Sequence, residues 1–243
     1  MDFREYAKRI TFKTAQPYDP IYSLEALNVD LPENQTWGDA IYKREGHTRL
    51  CDLMNMPRMS TYAIACLINK AVKDMAGDQS YVNVGVWHGF SLLSGMLGNA
   101  DKKCIGIDNF SEFGGPRMEF RRRYLDARSD KHQFYEMDYR QYFKNVQKPE
   151  EKIGFYFYDG AHDYQNQLDG LKIAEPFLTD DALIMVDDTN WPDPYRATLD
   201  FMAGSVFKYE VILDKKTSGN CHPTWWNGIF VLQRCGRKQP NVT

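Results

Sequence analysis

The side chains able to move protons or hold cations gather on two short stretches of this 243-residue chain. One is Phe155-Tyr-Phe-Tyr-Asp-Gly-Ala-His-Asp-Tyr164, which delivers Asp159, His162 and Asp163 together. The other is Ala182-Leu-Ile-Met-Val186, followed at once by Asp187-Asp188. Carboxylates brought close raise one another's pKa when no cation offsets their charge. An imidazole, with an ordinary pKa of ~6.5, is available as a proton acceptor near neutrality. Taken singly, Asp159-Gly160 also reads as a turn and Asp187-Asp188 as a cap. Both pairs, with His162, at neighbouring strand ends read better as one site for a cation and a base.

The elements that must carry these groups follow from periodicity. Aromatics alternate through Tyr158 as in a buried strand, and the acids arrive where that strand ends. In open α/β sheets, ligands bind beyond the carboxyl ends of the strands. Ile64, Leu67, Ile68, Ala71, Val72 and Met75 form one helical stripe, which Ser60 or Thr61 can cap and Gly77 can end. Tyr81-Val-Asn-Val-Gly-Val-Trp-His-Gly-Phe-Ser91 reads as strand, glycine turn and helix start. Gly85 and Gly89, lacking Cβ, would let backbone approach a ligand. Cys104-Ile-Gly-Ile-Asp108 is a second strand, and its terminal acid suits ribose hydroxyls. Residues 109–116, with Gly114-Gly115, form a lid-like loop, and Arg121-Arg122-Arg123 a solvated helix face. A third strand ends at Asp138, and a helix runs from Tyr164 towards Pro176. Trp191 to Tyr195 reads as a loop, with a helix from Tyr195 to Met202. Tyr209–Leu213 and Gly228–Leu232 suit an antiparallel hairpin. The fold class is therefore α/β: a doubly wound, mostly parallel seven-stranded sheet with a C-terminal antiparallel hairpin and an N-terminal helical cap.

A dinucleotide needs a pyrophosphate cradle, usually G-x-G-x-x-G. The turn Gly85-Val-Trp-His-Gly89 has bulky residues at the middle-glycine position, which argues against a nicotinamide-dependent oxidoreductase. It suits a ligand with a ribose and an amino-acid tail but no phosphate, such as S-adenosylmethionine. Val82–Ser91, Ile107-Asp108-Asn-Phe110, Tyr158-Asp-Gly-Ala-His-Asp-Tyr164 and Ile184-Met-Val-Asp-Asp188 resemble the motif series of class I S-adenosylmethionine-dependent methyltransferases. Within that class they most resemble metal-dependent sugar O-methyltransferases of the macrocin O-methyltransferase type. The resemblance implies a cofactor-binding set of Asn83, Gly85, Trp87, Gly89, Ser91, Asp108 and Asp138, with Asp108 on the ribose and Asp138 near the adenine. It implies Asp159, Asp187 and Asp188 as Mg2+ ligands and His162 as general base, with Asp159 at the catalytic centre. Asn83 stands where the family usually places an acid. The amide keeps an acceptor for the cofactor's amino group but loses the charge. The implied reaction is methyl transfer to a hydroxyl of a small molecule, a sugar or a glycosylated compound. The implied organisation is a cap or arm at 1–58, a methyltransferase domain at 59–233 and a polar, frayed tail at 234–243.

Bulk properties restrict the alternatives. A net charge of -3 offers no clustered positive charge for nucleic acid. No apolar run approaches the ~18 residues that span a bilayer, and the N-terminus lacks an apolar signal core. Five scattered cysteines without C-x-x-C read as thiols in a reducing cytoplasm. His47, His132 and His222 read as surface residues, His88 as packing, and Trp191, Tyr195, Trp225 and Trp226 as core or lid packing. The aromatic arm, with a short helical piece at Ile21–Leu27, is the feature that would support self-association into a homo-oligomer.

Overall fold

A computed structural model describes residues 2–9, 50, 53, 55–217, 219–222 and 224–238. The Ile21–Leu27 piece, His47 and Cys51 lie outside the described residues. The elements are α1 (Phe3–Arg9), α2 (Tyr62–Asp74), β1 (Gln79–Val84), α3 (Phe90–Met96), β2 (Lys103–Asp108), α4 (Arg117–Ala127), β3 (His132–Glu136) and α5 (Tyr139–Asn145). Then follow β4 (Lys152–Tyr158), α6 (Tyr164–Ala174), a 3-10 turn at Glu175–Phe177, β5 (Leu178–Asp187), α7 (Pro192–Gly204), β6 (Phe207–Lys215) and β7 (Ile229–Arg237).

The strands lie in the order β3-β2-β1-β4-β5-β7-β6. The first five are mutually parallel, and β7 runs antiparallel between β5 and β6. Strand order reverses between β1 and β4, so a crevice opens at their carboxyl ends. Period-two alternation explains the two-sided core. Phe155 and Phe157 on β4 join Tyr81, Met185 and Val231 on the face covered by α1 to α4. Tyr156 and Tyr158 join Val82, Ile107, Val186 and Phe230 on the face covered by α5 to α7. Both faces of β4 are thus buried, as expected of a central parallel strand.

Local signals set most boundaries. Thr61 caps α2, its Oγ1 accepting from Ile64 N at 3.2 Å, an interaction worth ~1 kcal/mol. The same hydroxyl donates to Thr224 O at 2.6 Å, tying α2 to the β6–β7 connection. Three expectations are corrected. First, α7 starts at Pro192, not Tyr195, because proline suits the first turn of a helix, where no amide partner is required. Second, Arg234 lies inside β7 and is 6% exposed, its Nη1 donating to Leu178 O at 2.9 Å, so the frayed-tail reading fails there. Third, His132 and His222 are buried. The His132 ring accepts from Ser129 N at 3.0 Å, and the His222 ring from Thr224 N at 3.1 Å. The expected N-terminal helix is present as α1: Phe3, Tyr6 and Ala7 enter the core, and Arg4 reaches Glu210 and Gln233 at 2.6 Å each. No helix of the described residues is long and apolar enough to cross a membrane.

Candidate active site

The carboxyl ends of β1, β2, β4 and β5 surround a cavity of about 310 Å³, within the range typical of small-molecule sites. One half of it is a cradle built on the turn after β1. Gly85 has φ +79, and a Cβ there would lie 1.8 Å from Asp159 O. The glycine therefore makes room for the end of β4. Gly89, at φ +101, makes room for the Phe120 ring, 2.9 Å from a built Cβ. Packing requires both glycines, and Gly85 also lines the cavity whereas Gly89 does not.

Asp108 clasps this turn from the end of β2. Its Oδ2 accepts from Val86 N and Trp87 N at 2.8 Å each, and its Oδ1 accepts from Phe110 N at 2.7 Å. A carboxylate offers about four lone-pair sites, so these three bonds leave one for a ligand hydroxyl. Trp87, at φ +44, donates its indole N–H to Phe113 O at 2.9 Å, fastening the 109–116 loop to the turn. Asp138 lines the cavity as the N-cap of α5, accepting from Arg140 N at 2.7 Å, two residues beyond the end of β3. Asn83 is fully buried behind the turn. Its Oδ1 accepts from Ser91 Oγ at 2.8 Å, and its Nδ2 donates to Gly85 O at 3.1 Å. Asn83, Gly89 and Ser91 do not line the cavity. The missing charge at Asn83 is explained locally, because an amide supplies both the donor and the acceptor this buried network needs.

The other half carries the acids. Asp159 follows β4, His162 lies in the loop before α6, and Asp188 follows β5. Their candidate ligand atoms all lie within 4.8 Å of one another. His162 Nε2 is 3.0 Å from Asp188 Oδ2. The His162 Nδ1 and Asp188 Oδ1 atoms are buried and have no hydrogen-bond partner. Asp187 borders the same cavity but stands outside this trio, its Oδ1 accepting from Asp188 N at 2.9 Å. Asp163 is exposed and caps α6, accepting from Asn166 N at 3.1 Å, so it is not brought into the site. Burial raises the Asp159 carboxyl well above the usual range, and Asp187, Asp188 and Asp108 add to the effect. Burial likewise raises Asp187 well above that range, with Asp188 next. Asp188 is raised by burial, against the opposing influence of His162 and Asn227. A set of enclosed, mutually repelling carboxyls with an unpartnered oxygen fits a hard divalent cation.

Trp191 stands edge-on to His162, with ring centroids 5.3 Å apart, and with Met59, Trp226 and Asn227 completes the cavity wall. Trp225 is core. His88 packs beside Trp87, its Nδ1 3.1 Å from Arg123 Nη1; burial and that guanidinium lower its pKa. Met59, Met137, Asn166 and Asn227 line the cavity without having been singled out in sequence. The Asn227-Gly228 pair was the one available signal, and it announces a turn rather than a ligand contact.

Residues 82–189 match a family profile described as a methyltransferase domain. No curated protein matches the chain. Among solved structures, cofactor-bound Rv0187 from MTB is similar at a TM-score of 0.57 and 14% identity, covering 90% of this chain and 98% of that one. The O-methyltransferase TomG from Streptomyces achromogenes, involved in tomaymycin synthesis and solved with SAM, is similar at 0.54 and 14% identity. That match covers 71% of this chain and 79% of TomG. At such identities the likeness speaks for the fold alone. Residues 82–189 are thus similar to a methyltransferase domain, and the strand order and the acid-clasped turn at the switch point agree with that likeness.

Proposed function

We propose that the chain methylates a hydroxyl oxygen of a small molecule, a sugar or glycosylated compound, with a divalent cation, Mg2+, assisting and His162 as the base. The observation that carries this reading is the convergence of Asp159, His162 and Asp188 within 4.8 Å beside the cofactor cradle. S-adenosylmethionine supplies an electrophilic methyl group on a sulfonium, displaced in line by the acceptor oxygen. A bound cation lowers the pKa of an alcohol it meets and so makes its proton easier to remove.

The chain's own residues divide the remaining work. The free lone-pair site on Asp108 takes one ribose hydroxyl, while Gly85 and Trp87 wall the cofactor and Asp138 lies on the adenine side. Asn83, Gly89 and Ser91 hold the turn from behind. Asp159 and Asp188 are the ligands for the cation, and Asp187 adds charge beneath them. His162 keeps its Nε2–H on Asp188, leaving the Nδ1 lone pair to take the acceptor's hydroxyl proton. His162 would hold that proton at Nδ1 until solvent removes it. Trp191 shields the imidazole from water. The loop of residues 109–116, fastened by Trp87, closes the cofactor side. Such an enzyme suits the cytoplasm, where its methyl donor is made.

The test is calorimetric titration of S-adenosylmethionine and Mg2+, separately and together, into wild type and Asp188→Ala. Cofactor binding to both, with Mg2+ binding lost in the variant, is the expected result. Cofactor binding without any Mg2+ binding sinks the cation role. Absence of cofactor binding sinks the proposal as a whole.

A further inference from the structure

The sheet carries a second concavity, at the end remote from Asp159 and His162. Lys152, Thr179, Asp180, Phe207, Arg234 and Arg237 are among the residues lining this pocket of about 630 Å³. It lies where β4, β5 and β6 begin and β7 ends. Strand β4 is 7 residues long, so at ~3.3 Å per residue the pocket is about 20 Å from the acids at the strand's other end.

Arg234 is the centre of this pocket. It is 6% exposed, and a guanidinium does not shed its charge when buried. Phe207 covers one face of it, with the ring centroid 3.3 Å from Cζ. Its Nη1 donates to Leu178 O at 2.9 Å and to Glu175 O at 3.3 Å, and these carbonyls supply dipoles but no net charge. Among the described residues its ion pair is with Asp180, whose Oδ1 stands 3.6 Å from Nη2 on a side chain 88% exposed. That separation is too long for a hydrogen bond, and water screens so exposed a carboxylate. The Nε of Arg234 and the Oγ1 of Thr179 are buried without a hydrogen-bond partner. Glu175 also lines the pocket, but its Oε1 is already engaged by Ser205 Oγ and Tyr209 OH. Two further cations stand at the exposed rim. Lys152 Nζ donates to Pro149 O at 2.9 Å, and Arg237 Cζ lies 5.3 Å from the Phe207 centroid. A buried charge held by dipoles and one distant acid is costly, and an anion entering from the pocket would offset that cost.

We propose that this pocket binds a small, doubly charged oxyanion of the phosphate class, either free phosphate or a phosphate monoester. The Arg234 guanidinium is its main partner, because a planar fork of N–H donors matches the oxygens of such an anion. Arg237 and Lys152 add charge at the rim, and the exposed Asp180 side chain swings away as the anion enters. The site is separate from the proposed reaction and does not depend on it.

The test is amide NMR of the full chain at about pH 8, where phosphate carries close to two charges. Inorganic phosphate and, in a parallel arm, glycerol 3-phosphate replace chloride at constant ionic strength. Saturable shifts at the amides of residues 179–180, 207 and 234–237 are expected, and the tighter of the two probes shows whether free phosphate or a monoester is preferred. Arg237→Ala and Lys152→Ala should each weaken binding about threefold, and Asp180→Asn should tighten it by a similar factor. All three positions are exposed, so these variants leave the bond from Arg234 to Leu178 O in place, and melting in chloride checks that each is folded. Shifts that do not saturate, shifts confined to Arg140 and its neighbours at the other cavity, or equal affinity in all three variants and wild type would each overturn the proposal.

Discussion

Replacing Gly85 with alanine isolates the cost of the close approach between β1 and β4. Two penalties apply. The first is conformational: an L-residue at φ +79 costs ~1–2 kcal/mol. The second is steric, because the new Cβ would start 1.8 Å from Asp159 O, where ordinary contact begins at 3.4 Å. The chain must open by about 1.5 Å, and two buried backbone bonds resist it: Asp159 N to Val84 O and Gly85 N to Ile107 O, both 2.9 Å. Losing one leaves a buried polar group unsatisfied, at ~1–3 kcal/mol. The sum for Gly85→Ala is ~2–5 kcal/mol. Gly236 supplies the control, since its φ is +81 and nothing lies within 4 Å of its built Cβ. Gly236→Ala should therefore cost only the conformational ~1–2 kcal/mol. Urea unfolding of wild type and both variants reads the difference directly. Equal destabilisation within about 0.5 kcal/mol would refute the claim that this glycine exists for the Asp159 backbone. Cofactor titration of Gly85→Ala adds a functional readout, because the displaced segment carries Asp159.

Burial lowers the His222 pKa from 6.5 to about 4, so between those values the unfolded chain binds a proton that the folded chain refuses. Stability present above pH 6.5 is lost as pH falls towards 4, by up to about 3 kcal/mol. His222→Gln should flatten the corresponding part of a urea-derived stability profile, and a profile identical to wild type would count against the assignment. Asp187→Asn keeps an oxygen for Asp188 N while removing one of the repelling acids. It should raise the melting temperature of the cation-free protein at pH 8, corresponding to roughly 1–3 kcal/mol; a lower melting temperature would contradict the electrostatic picture. Trp87→Phe deletes the bond to Phe113 O, worth ~1 kcal/mol. Amides of residues 110–115 should then exchange about fivefold faster in hydrogen-exchange measurements, and unchanged protection would mean the loop is held by other contacts.

What the sequence made legible was decided by periodicity and by residue chemistry at strand ends. The alternation Phe155-Tyr156-Phe157-Tyr158 announced a strand buried on both faces, and the acids after it marked the sheet edge where Asp159, His162 and Asp188 meet. The antiparallel pairing of β6 with β7 was likewise visible, in two short apolar runs. Side-chain direction was not legible. Asp187 and Asp188 are neighbours in sequence, yet the turn to φ +58 at Asp188 sends only the second into the trio with His162. Gly85 and Gly89 signalled backbone freedom but not which neighbour required it. His132 and His222 read as surface residues because nothing in a sequence reveals a backbone amide waiting for a ring nitrogen. Asn227 escaped notice because its partners, Asn190 and Cys221, become its neighbours only when β7 enters the sheet.

The late position of β7 in the chain, against its interior position in the sheet, has a consequence for the order of assembly. During synthesis from the N-terminus, β5 is complete well before its neighbour at residues 229–237 exists. Until then β5 is an open edge able to pair with another chain, and Asp187, later the partner of Ile229, faces water instead of the enclosed site. Each carboxyl is cheap to ionise at that stage, and repulsion is imposed only as the last strand slides in. The β5 side of the sheet is therefore closed late in synthesis. Loss of the segment from Ile229 onward would remove a small fraction of the chain's length and, with it, the antiparallel neighbour of the strand that ends in Asp187.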